Sequence, residues 1–350
     1  MNKSTIQTLI DKVIGKKGLI RVPSWWMRKV LMQMADWVQE GDDANSEKIV
    51  KVKEEADGKI EKLRNLTLPY MLVSGTGIVN VDGKEVSFTD ADKQLIYITG
   101  AINFEKQDDS RNDLITYIHI PHIDVRSQGR DMASMFRDCS GLTSLDLTGF
   151  DTSAVTDMAA MFSQCNKLTS LDLSGFDASA VTSMDGMFYR CFRLTSINLT
   201  GFNSSVVTNM GLMFCNCESL ISLDLSSFYT SSVENISSMF NDCRNLTSLD
   251  LSGFDTSAVT NMAAMFYNCK SLISLTLGPN FFKTPKVTSV DFSYSTQWTN
   301  DTVVTSLVTN SYDRATAGLS TMTLKLSANT KAALTDEQKA AITAKGYTIA

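Results

Sequence analysis

The chain has no run of 18 apolar residues, so its sequence offers no candidate for a membrane-spanning helix. It has no surplus of positive charge either. Its 32 Lys and Arg against 38 Asp and Glu give a net charge of −6, which argues against non-specific binding to nucleic acid, because neutralising phosphates needs a basic surface. Met1 to Ile6 opens no uninterrupted apolar segment with a small-residue cleavage site and carries no cysteine for lipid attachment, so the expectation is a chain without a signal peptide. The only histidines are His119 and His122; three apart on a strand they point to opposite faces, which excludes them as a metal pair. There is no C-x-x-C, and Cys215-Asn216-Cys217 stands alone. G-x-S-x-G, H-E-x-x-H, P-loop and dinucleotide fingerprints are all missing, and no isolated carboxylate pair stands out, so no enzymatic activity and no cofactor are expected.

What the chain does have is one segment written six times. Met132, Met158, Met184, Met210, Ile236 and Met262 are 26 residues apart, as are Cys139, Cys165, Cys191, Cys217, Cys243 and Cys269, and Leu142, Leu168, Leu194, Leu220, Leu246 and Leu272. A fixed period of this length predicts a solenoid in which each unit buries its apolar face only against its neighbours. The L-x-L step of each copy puts Leu145 and Leu147 on one side of a strand and Ser144, Asp146 and Thr148 on the other. Stacked copies then make parallel strands with Leu columns inside and Ser and Asp columns outside. Asp151 and Ser153 suit a turn, and Thr156 suits the N-cap of a short helical turn that carries Met158, Met161 and Phe162 inward. Methionine and phenylalanine at that spacing read as core filling. Equivalent cysteines in a solenoid point the same way, so free buried thiols are expected. Asp146, Asp172, Asp224 and Asp250 share one outward column with Asn198 and Thr276; a solvated face is the expectation and a calcium ladder its alternative, although the Gly-rich nonapeptide of calcium-binding solenoids is absent.

The flanks read differently. Over residues 1–68 the pattern predicts a helical attachment and oligomerisation stalk: a first helix through Ile6, Leu9, Ile10, Val13 and Ile14, a second from Pro23-Ser24 burying Trp26 to Val38, and a short heptad seam at Ile49, Val52, Ala56, Lys59, Leu63 and Leu66. A homo-oligomer is expected, with a trimer the favoured form and an intramolecular hairpin the alternative. Residues 69–113 alternate and are punctuated by Gly, predicting a small β module or an entrance to the solenoid sheet, with a hairpin at Asp82-Gly83 and further strands at Leu95–Ile98 and Ala101–Phe104. Ile115, Ile118, Ile120 and Ile123 repeat the spacing of Leu142, Leu145, Leu147 and Phe150 at a displacement of 27, which marks a degenerate first repeat and starts the solenoid at 114. Gly278-Pro279-Asn280 adds two residues, setting Phe282, Val287 and Val290 two places late. Residues 294–350 then predict an α/β cap: a helix at Thr299–Tyr312, a strand at Met322–Leu326, a helix at Asn329–Ala344 with a capping box at Thr335 and Gln338, and a last strand at Tyr347–Ile349.

The letters that vary between copies lie beside each cysteine. Tyr189, Arg190, Phe192 and Arg193 form an aromatic and basic cluster there, and Arg244 and Tyr267 recur in the same band. Such residues concentrate binding energy at interfaces, so these six are the candidate ligand-binding residues.

The unit C-x-x-L-x-x-L-x-L-x-x-F resembles the core of the leucine-rich repeat, and Leu249 to Leu275 resembles the BspA-like family of such repeats found on bacterial surfaces and in mobile elements. The resemblance covers about Ile115 to Phe292. It implies an α/β, leucine-rich-repeat-like solenoid of about six 26-residue repeats around a parallel β-sheet. It also implies adhesion to a protein or glycan on a cell surface. The N-terminal region resembles the attachment ends of gut-phage fibre proteins, which implies contacts with virion proteins. A virion fibre assembled in a host cytoplasm needs no export signal. The alternatives are a surface or secreted bacterial adhesin and a structural spacer.

Overall fold

A computed structural model describes residues 70–81, 84–97, 102–103, 115–119, 123–124, 131–147, 150–294 and 310–350. The expected stalk and nearly all of the expected helix at Thr299–Tyr312 lie outside these residues. No helix among the described residues is long and apolar enough to cross a membrane.

The first strands form a hairpin. Strand β1 (Tyr70–Val81) runs antiparallel to β2 (Lys84–Tyr97), and the pairing closes at Val81 opposite Lys84, where Asp82-Gly83 predicts a two-residue turn. Leu95–Tyr97 is the far end of β2 and not a strand of its own. A two-residue strand, β3 (Ile102–Asn103), also pairs with β1. On its other side β1 pairs antiparallel with β4 (Ile115–His119), and β4 pairs parallel with β6 (Ser144–Asp146), so hairpin and first coil share one sheet. The register places Ile118 opposite Leu145. Ile123 of β5 (Ile123–Asp124) lies opposite Phe150 of β7 (Phe150–Asp151), the 27-residue displacement of the degenerate repeat.

From there the chain is a parallel β-solenoid of about 8 turns at a spacing of about 26 residues. The six copies thus account for only part of the array. Short strands β8 (Ser170–Asp172) and β9 (Ser196–Asn198) pair in parallel, as do β10 (Ser248–Leu251) and β11 (Ser274–Leu277). Their leucines point inward, with Leu171, Leu249 and Leu275 all buried. Phenylalanines stack along the axis without a break. The rings of Phe136, Phe162, Phe188, Phe214, Phe240, Phe266 and Phe292 follow one another at centroid distances of 5.5, 5.6, 5.4, 5.8, 5.9 and 5.2 Å. Offset stacking at this range adds roughly 0.5–1.5 kcal/mol per pair to the burial itself.

The side opposite the strands corrects the sequence reading. Met158, Met161 and Phe162 are fully buried as expected, but no helix carries them. The backbone there alternates between two kinds of hydrogen bond. The amides of Met132, Ser134, Phe136 and Asp138 donate to the carbonyls of Asp157, Ala159, Met161 and Ser163 in the next coil, while Met135, Arg137 and Cys139 close turns onto Met132, Ser134 and Phe136. Every second link is therefore between coils, which a helix cannot provide because its bonds all run within four residues. The geometry requires left-handed residues at Ser134, Asp138 and their equivalents, including Leu212 (φ 55°). The turn is opened by Asp157, whose Oδ1 accepts from the Ala159 amide, and not by Thr156. Among the described residues the repeats are accordingly built of strands and turns, and α-helix occurs in the cap.

Polar ladders tie neighbouring coils at the corners. Asp131, Asp157, Ser183, Asn209, Asn235 and Asn261 bridge in parallel one to the next, and the Asn235 amide donates to Asn209 Oδ1 at 3.0 Å. The buried hydroxyl of Thr152 donates to the Asp177 carbonyl and accepts from the Asp177 amide, and Ser204 does the same with Tyr229. All seven cysteines are buried free thiols. They do more than fill space: the Sγ–H groups of Cys165, Cys191, Cys217, Cys243 and Cys269 donate to the carbonyls of Phe136, Phe162, Phe188, Phe214 and Phe240 at 3.1–3.2 Å.

The last coil passes into the cap. Phe281 donates its amide to Gly278 as Phe254 does to Leu251, so Phe281 takes the place that spacing assigns to Phe282. Phe282 is buried too, with left-handed φ and an edge against Tyr347. A parallel sheet follows, β12 (Ser289–Phe292), β13 (Met322–Leu326) and β14 (Tyr347–Ile349). The expected single helix at 329–344 is two: α1 (Ala328–Ala333) and α2 (Asp336–Ala344), the second opened by the capping box of Thr335 and Gln338. Gly346 (φ +85°) ends it. Fully buried Arg314 joins cap to solenoid, donating to the carbonyls of Phe282, Thr284 and Ser320.

Candidate functional site

Beside its cysteine each coil carries a position whose residue varies from copy to copy, buried as Ser163 and Cys215, half-buried as Arg137, Tyr189 and Asn241, and exposed as Tyr267. The column reads Arg137, Ser163, Tyr189, Cys215, Asn241, Tyr267, and all of these fold on the same backbone. The next column, Asp138, Gln164, Arg190, Asn216, Asp242 and Asn268, is left-handed throughout. That conformation turns successive side chains outward and explains why Asp and Asn recur in it.

The six predicted residues do not gather into one pocket. Tyr189, Arg190, Phe192 and Arg193 belong to one coil: the Arg190 guanidinium sits 5.0 Å from the centroid of the half-buried Tyr189 ring, and Arg193 is exposed. The Phe192 ring is half-buried and its carbonyl accepts from Ser219 Oγ at 2.7 Å. Arg244 lies two coils on, where its Nη2 is 2.9 Å from Asp242 and 3.6 Å from Glu218; the bond to Asp242 holds the guanidinium pKa above its ordinary value. Tyr267 is three coils from Tyr189, a rise of roughly 14 Å at the spacing of parallel strands. Its ring meets that of Tyr294 at a centroid distance of 4.2 Å. The edge thus carries two clusters, one around Tyr189 and one around Asp242, Arg244 and Tyr267.

Sequence reasoning missed several exposed apolar residues elsewhere on the surface. Ile221, 56% exposed, and Ile273 stand where Thr143, Thr169, Thr195 and Thr247 stand in other copies. Tyr229 replaces an Asp or Asn, and Val206 an Ala or Ser. The signal was available as a departure from each column's consensus, but it is weak where a methyl-bearing Thr becomes Ile. Tyr294 was hidden for another reason, since its partner is 27 residues away and not 26.

The acidic column is committed to the backbone. Asp172 and Asp224 accept from the amides of Ser174 and Ser226, and those bonds hold both carboxyls below their ordinary pKa. Asp185, on the turn side, goes the other way because burial raises it, opposed by a bond from Asn209. Burial pushes the Cys215 thiol up to about 11. Among the described residues no three His, Cys, Asp or Glu side chains come close enough together to hold a metal ion. A shallow groove of about 610 Å³ on the cap, between Lys331, Lys339, Thr343 and Tyr347, includes none of the six predicted residues.

Architecture and edge together define a repeat protein of the parallel β-solenoid class. A family model described as "Mycoplasma protein of unknown function, DUF285" matches residues 119–199 and 191–302, more than half of the chain, and the chain belongs to that family. The match and the 26-residue solenoid fit a BspA-like repeat protein. No curated protein and no solved structure matches the chain.

Proposed function

We propose that the protein is a non-enzymatic receptor-binding protein whose solenoid presents its variable edge to a protein or glycan on a cell surface. The observation that carries this reading is the division of labour within each coil. Repeated side chains are consumed by the fold, as core columns, thiol and hydroxyl ladders and backbone-bonded carboxylates, whereas the varying band carries exposed Arg190, Arg193, Arg244 and Tyr267 beside half-buried Tyr189 and Phe192. Aromatic and Arg side chains offered on a rigid backbone lose little entropy on binding.

In this reading residues 1–68 attach the array, as a homo-oligomer, to virion proteins, and the whole is a fibre or appendage of a phage particle. A bacterial surface adhesin is the second reading, favoured by the family match, whose printed description names a bacterium. Fluorescently labelled full-length protein applied to panels of bacterial and host cells tests the shared claim: saturable staining of some of them supports it, and staining of none leaves a structural spacer. Immunogold imaging of virions and of whole bacteria separates the two settings, with label on particles expected and label on the envelope alone overturning the fibre.

A further inference from the structure

The two clusters on the edge are not equivalent. Tyr189 is half-buried and its ring is already covered by Arg190. Tyr267 and Tyr294 are 37% and 47% exposed, and among the described residues no cation covers either ring. They touch at a tilt of 46°, so they present two differently inclined aromatic faces. The coil backbone does not require a tyrosine at 267, for Arg137, Ser163, Cys215 and Asn241 stand in that column. Exposed rings are disfavoured in water, and two that meet at the surface, one of them in a column that elsewhere holds small or polar residues, suit an apolar ligand face.

Polar groups of fixed geometry adjoin the rings. The Asp242 amide donates to the Tyr267 carbonyl at 2.9 Å, which puts the Asp242 side chain one coil from the ring. Its Oδ1 accepts from Arg244 Nε and Nη2, at 3.0 and 2.9 Å, and from the Asn268 amide. Lys270 is exposed in the column of Arg244, and Glu218 lies 3.6 Å from Arg244 on the other side, so the patch mixes both signs. Aromatic faces beside planar donors and an acceptor match a pyranose. The ring's C–H face is apolar and stacks on tyrosine, while its equatorial hydroxyls, each donor and acceptor, reach a carboxylate, a guanidinium and an amide. An acidic sugar would gain from Arg244 and Lys270 but meet Asp242 and Glu218.

We propose that Tyr267 and Tyr294, together with Asp242, Arg244 and Asn268, form a binding site for a neutral hexose unit of a cell-surface glycan. This rests on the receptor-binding reading and names its ligand class.

The test uses the full-length chain on an array of immobilised neutral and acidic oligosaccharides, in parallel with cell staining. Wild type binds neutral hexose-containing glycans. Tyr267→Ala/Tyr294→Ala weakens that binding by roughly 30-fold, the factor that about 2 kcal/mol of anchor energy represents. Tyr267→Phe/Tyr294→Phe, which keeps the rings, stays within a few-fold, and Asp242→Asn loses affinity with its melting temperature little changed. Retention of only acidic glycans, no array binding by wild type, or unchanged binding by the Ala variant overturns the site. Cells stained equally by wild type and the Ala variant also overturn it while leaving receptor binding in place. Array binding without staining of any cell does the reverse.

Discussion

Arg314 locks the cap onto the solenoid, and replacing it with Met should open the cap while leaving the coils intact. The side chain is fully buried, and among the described residues its guanidinium bonds to backbone carbonyls: Nη1 lies 2.8 Å from the Phe282 oxygen and 2.7 Å from that of Thr284, and Nε and Nη2 lie 3.0 and 2.8 Å from that of Ser320. Among the described residues no carboxylate pairs with it, and burial lowers the guanidinium pKa from its ordinary value, opposed by Tyr347 and Tyr312. The charge is held because three carbonyls, two on the last coil and one in the cap, need donors. Methionine fills a similar volume but donates nothing, so those carbonyls are stranded at about 1–3 kcal/mol each where water does not enter. With partial hydration the net cost is about 3–5 kcal/mol, the range for removing one side of a buried charged interaction. In a solenoid that loss is felt by the nearest neighbours. Native-state hydrogen exchange should therefore show protection of the Thr323 and Ala350 amides falling by roughly two to four orders of magnitude, while the Phe188 and Phe214 amides, which bond to Met213 and Met239, change little. Arg314→Lys keeps the charge without the fork and should fall between. A decrease below tenfold at the cap, or an equal decrease in every coil, would refute this reasoning.

Other perturbations probe the array itself. Phe214→Ala removes a ring stacked at 5.4 Å on Phe188 and 5.8 Å on Phe240 and should cost about 3–5 kcal/mol in urea unfolding; a loss under 1 kcal/mol would mean that the stack closes over the gap. Burial raises the Cys191 and Cys269 thiols from 9.0 to about 12, so the folded chain resists ionisation that the unfolded chain undergoes. That contribution is complete below pH 9 and lost as pH rises towards 12, so melting temperatures should be level near neutrality and fall above pH 9, and native thiols should resist iodoacetamide; rapid labelling of column thiols would contradict the burial. At Gly278 a Cβ would stand 1.9 Å from the Ser252 carbonyl oxygen, and Gly278→Ala should destabilise by more than about 2 kcal/mol in thermal melts. Leu212 is left-handed where the preceding coil has Gly186, and Leu212→Gly should be neutral or stabilising by up to about 1 kcal/mol; a clear loss would show that the exposed leucine packs.

Much of this was legible in the text of the repeat. A period of 26 determines columns, and columns determine which residues are inside, so the leucines, phenylalanines, methionines and thiols fell where spacing put them. The 27-residue step from Ile118 to Leu145, the reversal after Val81 and the capping box at Thr335 are also local patterns with one physical solution. The connection across the coil was not legible, because Met158, Met161 and Phe162 suit a helical turn and a stacked turn equally. The choice depends on carbonyls 25 residues away, which accept the amides a helix would use internally. Arg314 reads as a surface cation until the last coil brings it carbonyls from 30 and 32 residues back. The candidate site follows the same division. Spacing marked Tyr267 and Arg244 as letters that vary, but the ring beside Tyr267 comes from Tyr294, which meets it because Phe292 stays stacked on Phe266 while the chain around Gly278 has gained residues. Period alone decides what the scaffold buries. Which exposed side chains meet depends on how the scaffold ends, and that is settled by contacts between coils.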